Sequence, residues 1–230
     1  MLLGMKAPLD ANNPYRAFTK QSGFASFGAP HVFDLVGRTC AAVLCSGWYQ
    51  KWLVHRRVRP ESYAGNVHNH IIGAAQYPLP ARLLSSPVLS AVFGKYGTYL
   101  LPMAYAEGCP SHPSFPAGHP CLSGAAATAL KAFFDESFVI SNPVQASPDG
   151  LSLVPYDGPP LTVGGELNKL AANIARGRDA AGVHWRSDGI AGLLLGEAVA
   201  IAVLRDQRAN YSETFAGFTL TKFDGKTVTT

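Results

Sequence analysis

The residues with the clearest chemical potential lie between Arg178 and Asp188. His184 and Asp188 are four residues apart, so on a helix the two side chains share one face and the carboxylate can hold the imidazole in one orientation. Arg178 lies six residues before His184, across a turn that contains Gly182. An arginine directed at the same place as a buried histidine indicates an anion, or a negative charge that develops during a reaction. The sequence therefore predicts an oxyanion site around His184.

A second candidate segment contains Gly118 and His119. Four prolines within residues 110–120 predict a stiff, non-helical loop, and the alanine-rich stretch from Leu122 to Phe134 predicts a helix directly after it. Gly118 and His119 then lie at a helix N-terminus, where free backbone N–H groups and the positive end of the helix dipole favour an anion. Gly118 lets the backbone approach that anion closely, and His119 is placed to exchange a proton with it.

Two further cations, Lys51 and Arg59, are predicted near the end of a long helix. Apolar residues recur at helical spacing over residues 30–55, and Lys51 falls in the last third of that helix. Arg59 precedes a proline, and a residue in that position disfavours the helical conformation. Arg59 should therefore leave the helix, while its long side chain still reaches the same anion as Lys51. Arg56 and Arg57 are expected to be solvated at the helix end, where the dipole favours them.

Taken together, these segments resemble the vanadium-dependent haloperoxidase and type 2 phosphatidic acid phosphatase superfamily. The similarity runs from about Asn13 to the C-terminus and is strongest toward the red-algal type of vanadium bromoperoxidase. The spacing from Lys51 to Arg59 is one residue longer than is usual in the phosphatases and chloroperoxidases, which favours the bromoperoxidase branch. The segments that carry the resemblance are WYQKWLVHRRVRPE, HPSFPAGH, AGVHWRSD, GLLLGEAVAI and the terminal KFDG.

The resemblance implies a role for each candidate residue. His184 would be the metal ligand and would bind vanadium through a ring nitrogen. Asp188 would hold the imidazole ring of His184 in place. His119 would be the acid–base residue, and His112 would lie near the halide site. The oxygens of the vanadate cofactor would accept hydrogen bonds from four groups: Lys51, Arg59, Arg178 and the N–H of Gly118.

The implied activity is oxidation of a halide by hydrogen peroxide to a hypohalous species, which halogenates a small organic acceptor, with vanadate acting as a Lewis acid. In the phosphatases the same pocket holds phosphate and the histidine equivalent to His184 is the nucleophile, so a phosphomonoesterase is an alternative. An inactive, truncated scaffold is a third, because Ala117 stands where the family usually has serine and the chain matches only the catalytic half of the red-algal enzymes. The retained cations argue against a scaffold, since unpaired buried charges are costly in a purely structural core.

Composition limits the other classes of function. The 230 residues are 47% hydrophobic and 15% charged, which is typical of a globular protein. The net charge of +4 is small and scattered, so no nucleic-acid partner is predicted. The apolar run from Gly189 to Leu204 contains Glu197 and is shorter than the roughly 20 residues of a membrane span, which predicts a buried core helix. No signal peptide is recognised in MLLGMKAPLD, so the localisation is left open, with the cytoplasm as the default.

The predicted fold is all-α, a helical bundle of the vanadium haloperoxidase and acid phosphatase type with its anion site at one end. Residues 1–230 are expected to form a single catalytic domain, with a homo-oligomer as a possible assembly. An extended N-terminal segment over 1–30 and a β-hairpin within 211–230, signalled by an Asp-Gly turn, complete the chain. Mostly irregular loops are expected at 61–80 and 138–162.

Overall fold

The computed structural model describes residues 1–230, and most of its regular structure is helical. The helices are α1 (Ala29–Tyr49), continued by a π-helix (Gln50–His55), α2 (Pro60–Ile71), α3 (Ala81–Leu84), α4 (Pro87–Tyr96), α5 (Gly118–Phe133), α6 (Val163–Ala180) and α7 (Arg186–Arg208). Two antiparallel hairpins pair β1 (Val144–Ala146) with β2 (Leu153–Pro155) and β3 (Thr219–Thr221) with β4 (Thr227–Thr229). The predictions of a helical bundle and of a C-terminal hairpin are confirmed.

The bundle is centred on α5, which packs against α1, α6 and α7. The backbones of α5 and α7 approach each other so closely that glycine is required at the contact. A Cβ atom at Gly192 would lie 2.6 Å from the Ala117 carbonyl oxygen, and one at Gly196 would lie 2.4 Å from the Cys121 carbonyl oxygen. Gly124 faces the α7 backbone in the same way. The contacts advance in the same direction along both helices, so α5 and α7 are parallel and their N-termini lie at the same end.

The main hydrophobic core lies at the other end of these two helices. The N-terminal segment runs in turns and irregular stretches up to Gly28 and covers this core, contributing Ala7 and Phe27. A β-bridge between Leu9 and Phe134 ties it to the end of α5. The buried members of the core are Ala7, Phe27, Val32, Leu35, Ala129, Ala132, Phe133, Phe134, Leu204, Phe215, Phe218 and Leu220. Since most of these side chains are aromatic or branched, this end has the character of a stabilising core.

By length and composition alone, α7 is long and apolar enough to cross a membrane. In the structure it packs against α1, α5 and α6. It also carries two buried carboxylates, Asp188 and Glu197. Helix α7 is therefore a core helix of the bundle, as the apolar run from Gly189 to Leu204 predicts.

Both loop predictions are wrong in part. Residues 61–80 include most of α2, because the proline at its first position starts the helix and Tyr63, Val67 and Ile71 recur on one face. The interspersed histidines and asparagines conceal that pattern in the sequence. Residues 138–162 include the short β1–β2 hairpin, whose exposed strands lack the alternation that marks a half-buried strand.

Candidate oxyanion site

Seven of the eight predicted site residues line one cavity of about 170 Å³ at the N-terminal ends of α5 and α7. They are Lys51, Arg59, His112, Gly118, His119, Arg178 and His184. The eighth, Asp188, lies behind His184 and is fully buried. The fold therefore brings together residues from the π-helix, the start of α2, the proline-rich loop, α5, α6 and the segment before α7.

The imidazole of His184 is held between a carboxylate and a guanidinium. Its Nδ1 lies 3.1 Å from Asp188 Oδ2, and its Nε2 lies 3.0 Å from Arg59 Nη1. Because a guanidinium can only donate, Nε2 must carry the lone pair and Nδ1–H must donate to Asp188. Burial lowers the pKa of His184 to about 4, against the opposing hydrogen bond to Asp188, so the ring is neutral at pH 7. Nε2, which accepts from Arg59 at the cavity wall, is the unprotonated nitrogen, and a neutral imidazole of this kind is a suitable nitrogen ligand.

The contact between His184 and Asp188 does not arise on a helix face, so that part of the prediction is wrong. His184 precedes α7, for which Trp185 is the N-cap and Asp188 the third residue. The backbone N–H of Trp185 donates to Asp188 Oδ2 at 3.0 Å, so the carboxylate that holds the imidazole also caps the helix. Gly182, with φ of +79°, turns the chain after α6, and Arg178 stays on the last turn of α6.

Arg57 is the site residue that the sequence analysis missed. Its Nη1 donates to Asp188 Oδ1 at 2.8 Å and lies 2.7 Å from the hydroxyl of Ser187. The prediction that Arg57 is solvated is therefore wrong in part, because its side chain is half-exposed but pairs with a buried carboxylate, whereas Arg56 is exposed as predicted. Nothing in the sequence distinguishes the two arginines. The difference arises at Arg56, whose φ of 44° turns the chain where the π-helix ends.

Asp188 is the negative centre behind the cavity. Burial alone would raise the pKa of its carboxyl, but the hydrogen bond from His184, the N–H of Trp185 and the charge of Arg57 together lower it below the ordinary value. The carboxylate is therefore charged and fully bonded at neutral pH. It can keep the imidazole of His184 in one tautomer.

Lys51 and Arg59 supply buried positive charge on one side of the cavity. Lys51 Nζ donates to two carbonyls of the proline-rich loop, at 2.7 and 3.1 Å. Arg59 donates to the carbonyls of His112 at 2.8 Å and Val183 at 2.7 Å. Burial lowers the pKa of Lys51 to about 8, with a further contribution from the charge of Arg59, and burial also lowers the pKa of Arg59. Buried cations whose charged forms are disfavoured by burial and by neighbouring arginines favour an anion beside them.

Three more groups on the cavity wall have bonding capacity to spare. Arg178 donates through Nη1 to the Tyr105 hydroxyl at 2.9 Å, while its buried Nε has no hydrogen-bond partner. A Cβ atom at Gly118 would meet nothing within 4 Å, so the N-terminal turn of α5 is open toward the cavity. His119 is exposed at the cavity mouth, and burial of part of its ring, with the charge of Arg178, lowers its pKa.

Part of the cavity wall is apolar. Val43, Leu44 and Trp48 of α1 and Leu122 of α5 contribute to it. His112 joins the two sides, because its Nδ1 lies 3.0 Å from Arg59 Nη2 and its ring centroid lies 4.9 Å from that of Trp48. Burial lowers the pKa of His112, and Lys51 lowers it further. The site can therefore hold an anion against the cations while an apolar molecule contacts Val43, Leu44, Trp48 and Leu122.

The unusual spacing between Lys51 and Arg59 has a structural counterpart. The six-residue π-helix Gln50–His55 contains Lys51, and the N–H of Arg56 bonds back to the Lys51 carbonyl at 2.9 Å. A π-turn holds one more residue per hydrogen-bonded turn than an α-turn, and such turns are frequent at functional sites. The longer spacing is thus accommodated within the helix, and both cations still reach one cavity.

The donor set is that of an oxyanion site and not of a protein-ligated metal ion. No three His, Cys, Asp or Glu side chains are grouped so that they could hold a metal ion, and the four cysteines are free. The cavity instead offers one unprotonated nitrogen, three cations and a helix N-terminus. This arrangement can bind a tetrahedral oxyanion and give its central atom one nitrogen ligand.

The chain is similar to vanadium-dependent bromoperoxidases in sequence and in structure. Residues 90–212 match the family model described as the VCPO second helical-bundle domain. The vanadium-dependent bromoperoxidase of Ascophyllum nodosum is 41% identical over 229 residues, which cover 93% of this chain and 41% of that protein. The enzyme of Corallina officinalis is 40% identical over 252 residues, which cover 99% of this chain and 42% of that protein.

A solved structure shows the same similarity at the level of the fold. The homohexameric second vanadate-dependent bromoperoxidase (AnII) of Ascophyllum nodosum superimposes with a TM-score of 0.85 at 31% identity, covering 98% of this chain and 44% of that one. The chain thus spans about two fifths of the length of the curated relatives that it matches.

Proposed function

The chain belongs to the vanadium-dependent haloperoxidase family, and on that premise we propose that residues 1–230 act as the catalytic domain of a vanadate-dependent bromoperoxidase. The reaction is oxidation of a halide by hydrogen peroxide to a hypohalous species, which halogenates a small organic acceptor. One observation supports the proposal most directly. The unprotonated Nε2 of His184, which accepts from Arg59, lies at a cavity that Lys51, Arg59 and Arg178 also line.

The residues around the cavity fit vanadate. The buried, unpartnered Nε of Arg178 and the open backbone at Gly118 are donors without an acceptor, and vanadate oxygens are acceptors. His184 Nε2 would be the ligand to vanadium, and the oxygens would be held by Lys51, Arg59, Arg178 and the N–H of Gly118. When bound there, vanadate supplies Lewis acidity toward hydrogen peroxide.

The chain's own residues account for proton handling and water exclusion. The lowered pKa of His119 leaves its ring neutral at pH 7, so it can accept a proton from hydrogen peroxide and return it to solvent at the cavity mouth. Asp188 keeps the Nδ1 proton of His184 in place. The apolar wall with Trp48 limits water near the anion, and His112 lies between that wall and Arg59, where a halide can be held.

A homo-oligomeric assembly belongs to the proposal. The structural relative is described as homohexameric. In this chain a row of large apolar side chains is exposed along α1 and the π-helix: Phe33, Leu44, Trp48, Tyr49, Trp52, Leu53 and Val54. Exposed apolar surface of this extent is typical of contact surfaces.

A phosphomonoesterase is the second candidate, because the same cations can hold phosphate and the neutral, carboxylate-held His184 also has the arrangement of a nucleophile. The test is bromination of a dione indicator by the purified chain with bromide and hydrogen peroxide, with and without vanadate. We expect bromination that depends on vanadate. Hydrolysis of a phosphate ester without bromination would favour the phosphatase, and absence of both reactions in folded protein would favour an inactive scaffold.

A further inference from the structure

We propose that Arg57 is a positioning residue that keeps the ring of His184 directed at the cavity by fixing the carboxylate of Asp188. The proposal rests on the proposed function, since it concerns the same oxyanion site. Arg57 does not line the cavity of that site. Its effect must therefore pass through Asp188.

The two oxygens of Asp188 serve different partners. Oδ2 lies 3.1 Å from His184 Nδ1 and accepts the N–H of Trp185 at 3.0 Å. Oδ1 accepts from Arg57 Nη1 at 2.8 Å. The carboxylate is completely shielded from solvent, whereas 39% of the Arg57 side chain is exposed. Arg57 is thus the cation that pairs directly with a buried anion, and its bond determines which oxygen is left for the imidazole.

Arg57 is itself held from two directions. Its guanidinium carbon lies 5.6 Å from the ring centroid of Trp185 and 5.9 Å from that of Phe115, both within the range of cation–π attraction. Its Nη1 also contacts the Ser187 hydroxyl at 2.7 Å. The side chain therefore connects the end of the π-helix, the proline-rich loop and the first turn of α7.

Removal of Arg57 would leave Oδ1 of Asp188 without its donor. The carboxylate could then rotate, so Nδ1–H of His184 would lose a fixed acceptor and Nε2 would lose its fixed direction. Groups that orient a metal-binding histidine typically contribute about 10–100-fold to metal affinity. An anion held only by charge and hydrogen bonds, such as phosphate, depends much less on the direction of Nε2. Arg57 should therefore affect the ratio of vanadate affinity to phosphate affinity.

The experiment compares wild type with Arg57→Ala, Arg57→Lys and Arg56→Ala. Vanadate binding is measured by equilibrium dialysis and phosphate binding by calorimetry. We expect Arg57→Ala to weaken vanadate binding by about 10–100-fold, with a much smaller change in phosphate binding, and Arg57→Lys to lie between Arg57→Ala and wild type. Arg56→Ala removes the same charge from an exposed neighbour and should leave both affinities unchanged.

Chemical rescue of Arg57→Ala by guanidinium is a second test of the role of Arg57. The outer side of Arg57 borders a second, more open cavity of about 550 Å³, shared with Tyr63, Arg82 and Trp185. Truncation of Arg57 would join its space to that cavity, so added guanidinium can reach Asp188. We expect low concentrations of guanidinium to restore vanadate binding in Arg57→Ala but not in His184→Ala.

The possible outcomes are distinguishable. Absence of vanadate binding in wild type would overturn the proposed function itself. Vanadate binding in wild type with an unchanged ratio in Arg57→Ala would overturn only the inference about Arg57. Equal loss of vanadate and phosphate binding without rescue would show a merely structural role and would also overturn it. Arg57→Lys, which keeps the charge, gives the same comparison if the alanine variant does not fold.

Discussion

Two histidines are buried at opposite ends of the bundle, and their ring nitrogens are used differently. In the aromatic core, His31 accepts the Phe27 N–H at Nδ1, at 2.9 Å, and its Nε2 lies 2.9 Å from the Tyr211 hydroxyl. His184 uses Nδ1 for Asp188 and presents Nε2 to a cavity. Both nitrogens of His31 are bonded within the core, which indicates a structural role, whereas Nε2 of His184 is bonded only to the Arg59 guanidinium at the cavity wall, where an anion can compete for that donor. Burial alone does not identify a functional histidine.

The buried lysines differ in the same way. Lys131, fully buried near the C-terminal hairpin, donates to the Thr221 carbonyl at 2.6 Å. The nearby carboxylates of Glu136 and Glu197 attract it and accept N–H groups of the hairpin segment. Lys51 instead lies beside a second cation at the cavity end. The charge of Lys131, which supports the fold, is balanced by nearby carboxylates. At Lys51, where we propose an anion site, positive charge is in excess.

The largest expected effect tests the functional difference between the two buried histidines. His184→Ala should abolish vanadate-dependent bromination, because the nitrogen ligand is lost, whereas His31→Gln should lower thermal stability and retain turnover in the folded fraction. Initial rates with bromide, hydrogen peroxide and saturating vanadate measure the first effect, and a melting curve measures the second. Unchanged turnover in His184→Ala would remove the basis of the assignment.

The lysines give the next test. Lys51→Met should weaken vanadate binding by about tenfold or more, since a hydrogen bond to a charged group contributes about 1.5–3 kcal/mol. Lys131→Met should instead reduce the free energy of unfolding by about 1–3 kcal/mol, because it leaves a buried carbonyl and two carboxylates without their cation. Equilibrium dialysis and urea unfolding separate the two effects. Equal loss of vanadate affinity in both variants would contradict the distinction between the two ends.

Acid should destabilise both ends through their histidines. Burial lowers the pKa of His31, and that of His184 to about 4, so below a pH of about 6.5 the unfolded chain binds protons that the folded protein does not. The contribution of these histidines to stability is therefore present above pH 6.5 and is lost as the pH falls toward 4. Urea unfolding at several pH values measures this. His31→Gln should make the free energy of unfolding depend less steeply on pH. A pH dependence identical to that of wild type would show that His31 does not contribute to it.

The smallest expected effect concerns Ala117, the N-cap residue of α5. Ala117→Ser restores a hydroxyl beside Gly118 and should tighten vanadate binding by up to about tenfold, while a serine cap adds about 1 kcal/mol to stability. Dialysis and thermal unfolding measure both changes. Ala117→Val, which adds bulk without a hydroxyl, should give neither gain, and weaker binding in the serine variant would show that the position has no room for an oxygen.

The sequence predicted the bundle, the C-terminal hairpin and the candidate residues that meet in the cavity, because helical periodicity and family motifs are local signals. It did not reveal Arg57, whose contact with Asp188 depends on the chain reversal at Arg56. It also misplaced His184 on α7, since a spacing of four residues is compatible both with a helix face and with a carboxylate that caps the helix from within. Such alternatives are decided by tertiary packing, which no local pattern contains.

The close contact of α5 with α7 has a consequence for protein engineering. Side chains are excluded at Gly192 and Gly196, so the backbone that carries the anion-binding end tolerates little redesign. Two α1 side chains on the apolar wall, Leu44 and Trp48, are partly exposed, whereas Val43 is buried against Cys121, Ala125 and Ala200 beside that contact. A mutant library restricted to Leu44 and Trp48 would therefore vary the apolar side of the cavity while leaving the glycine contact and the anion donors intact.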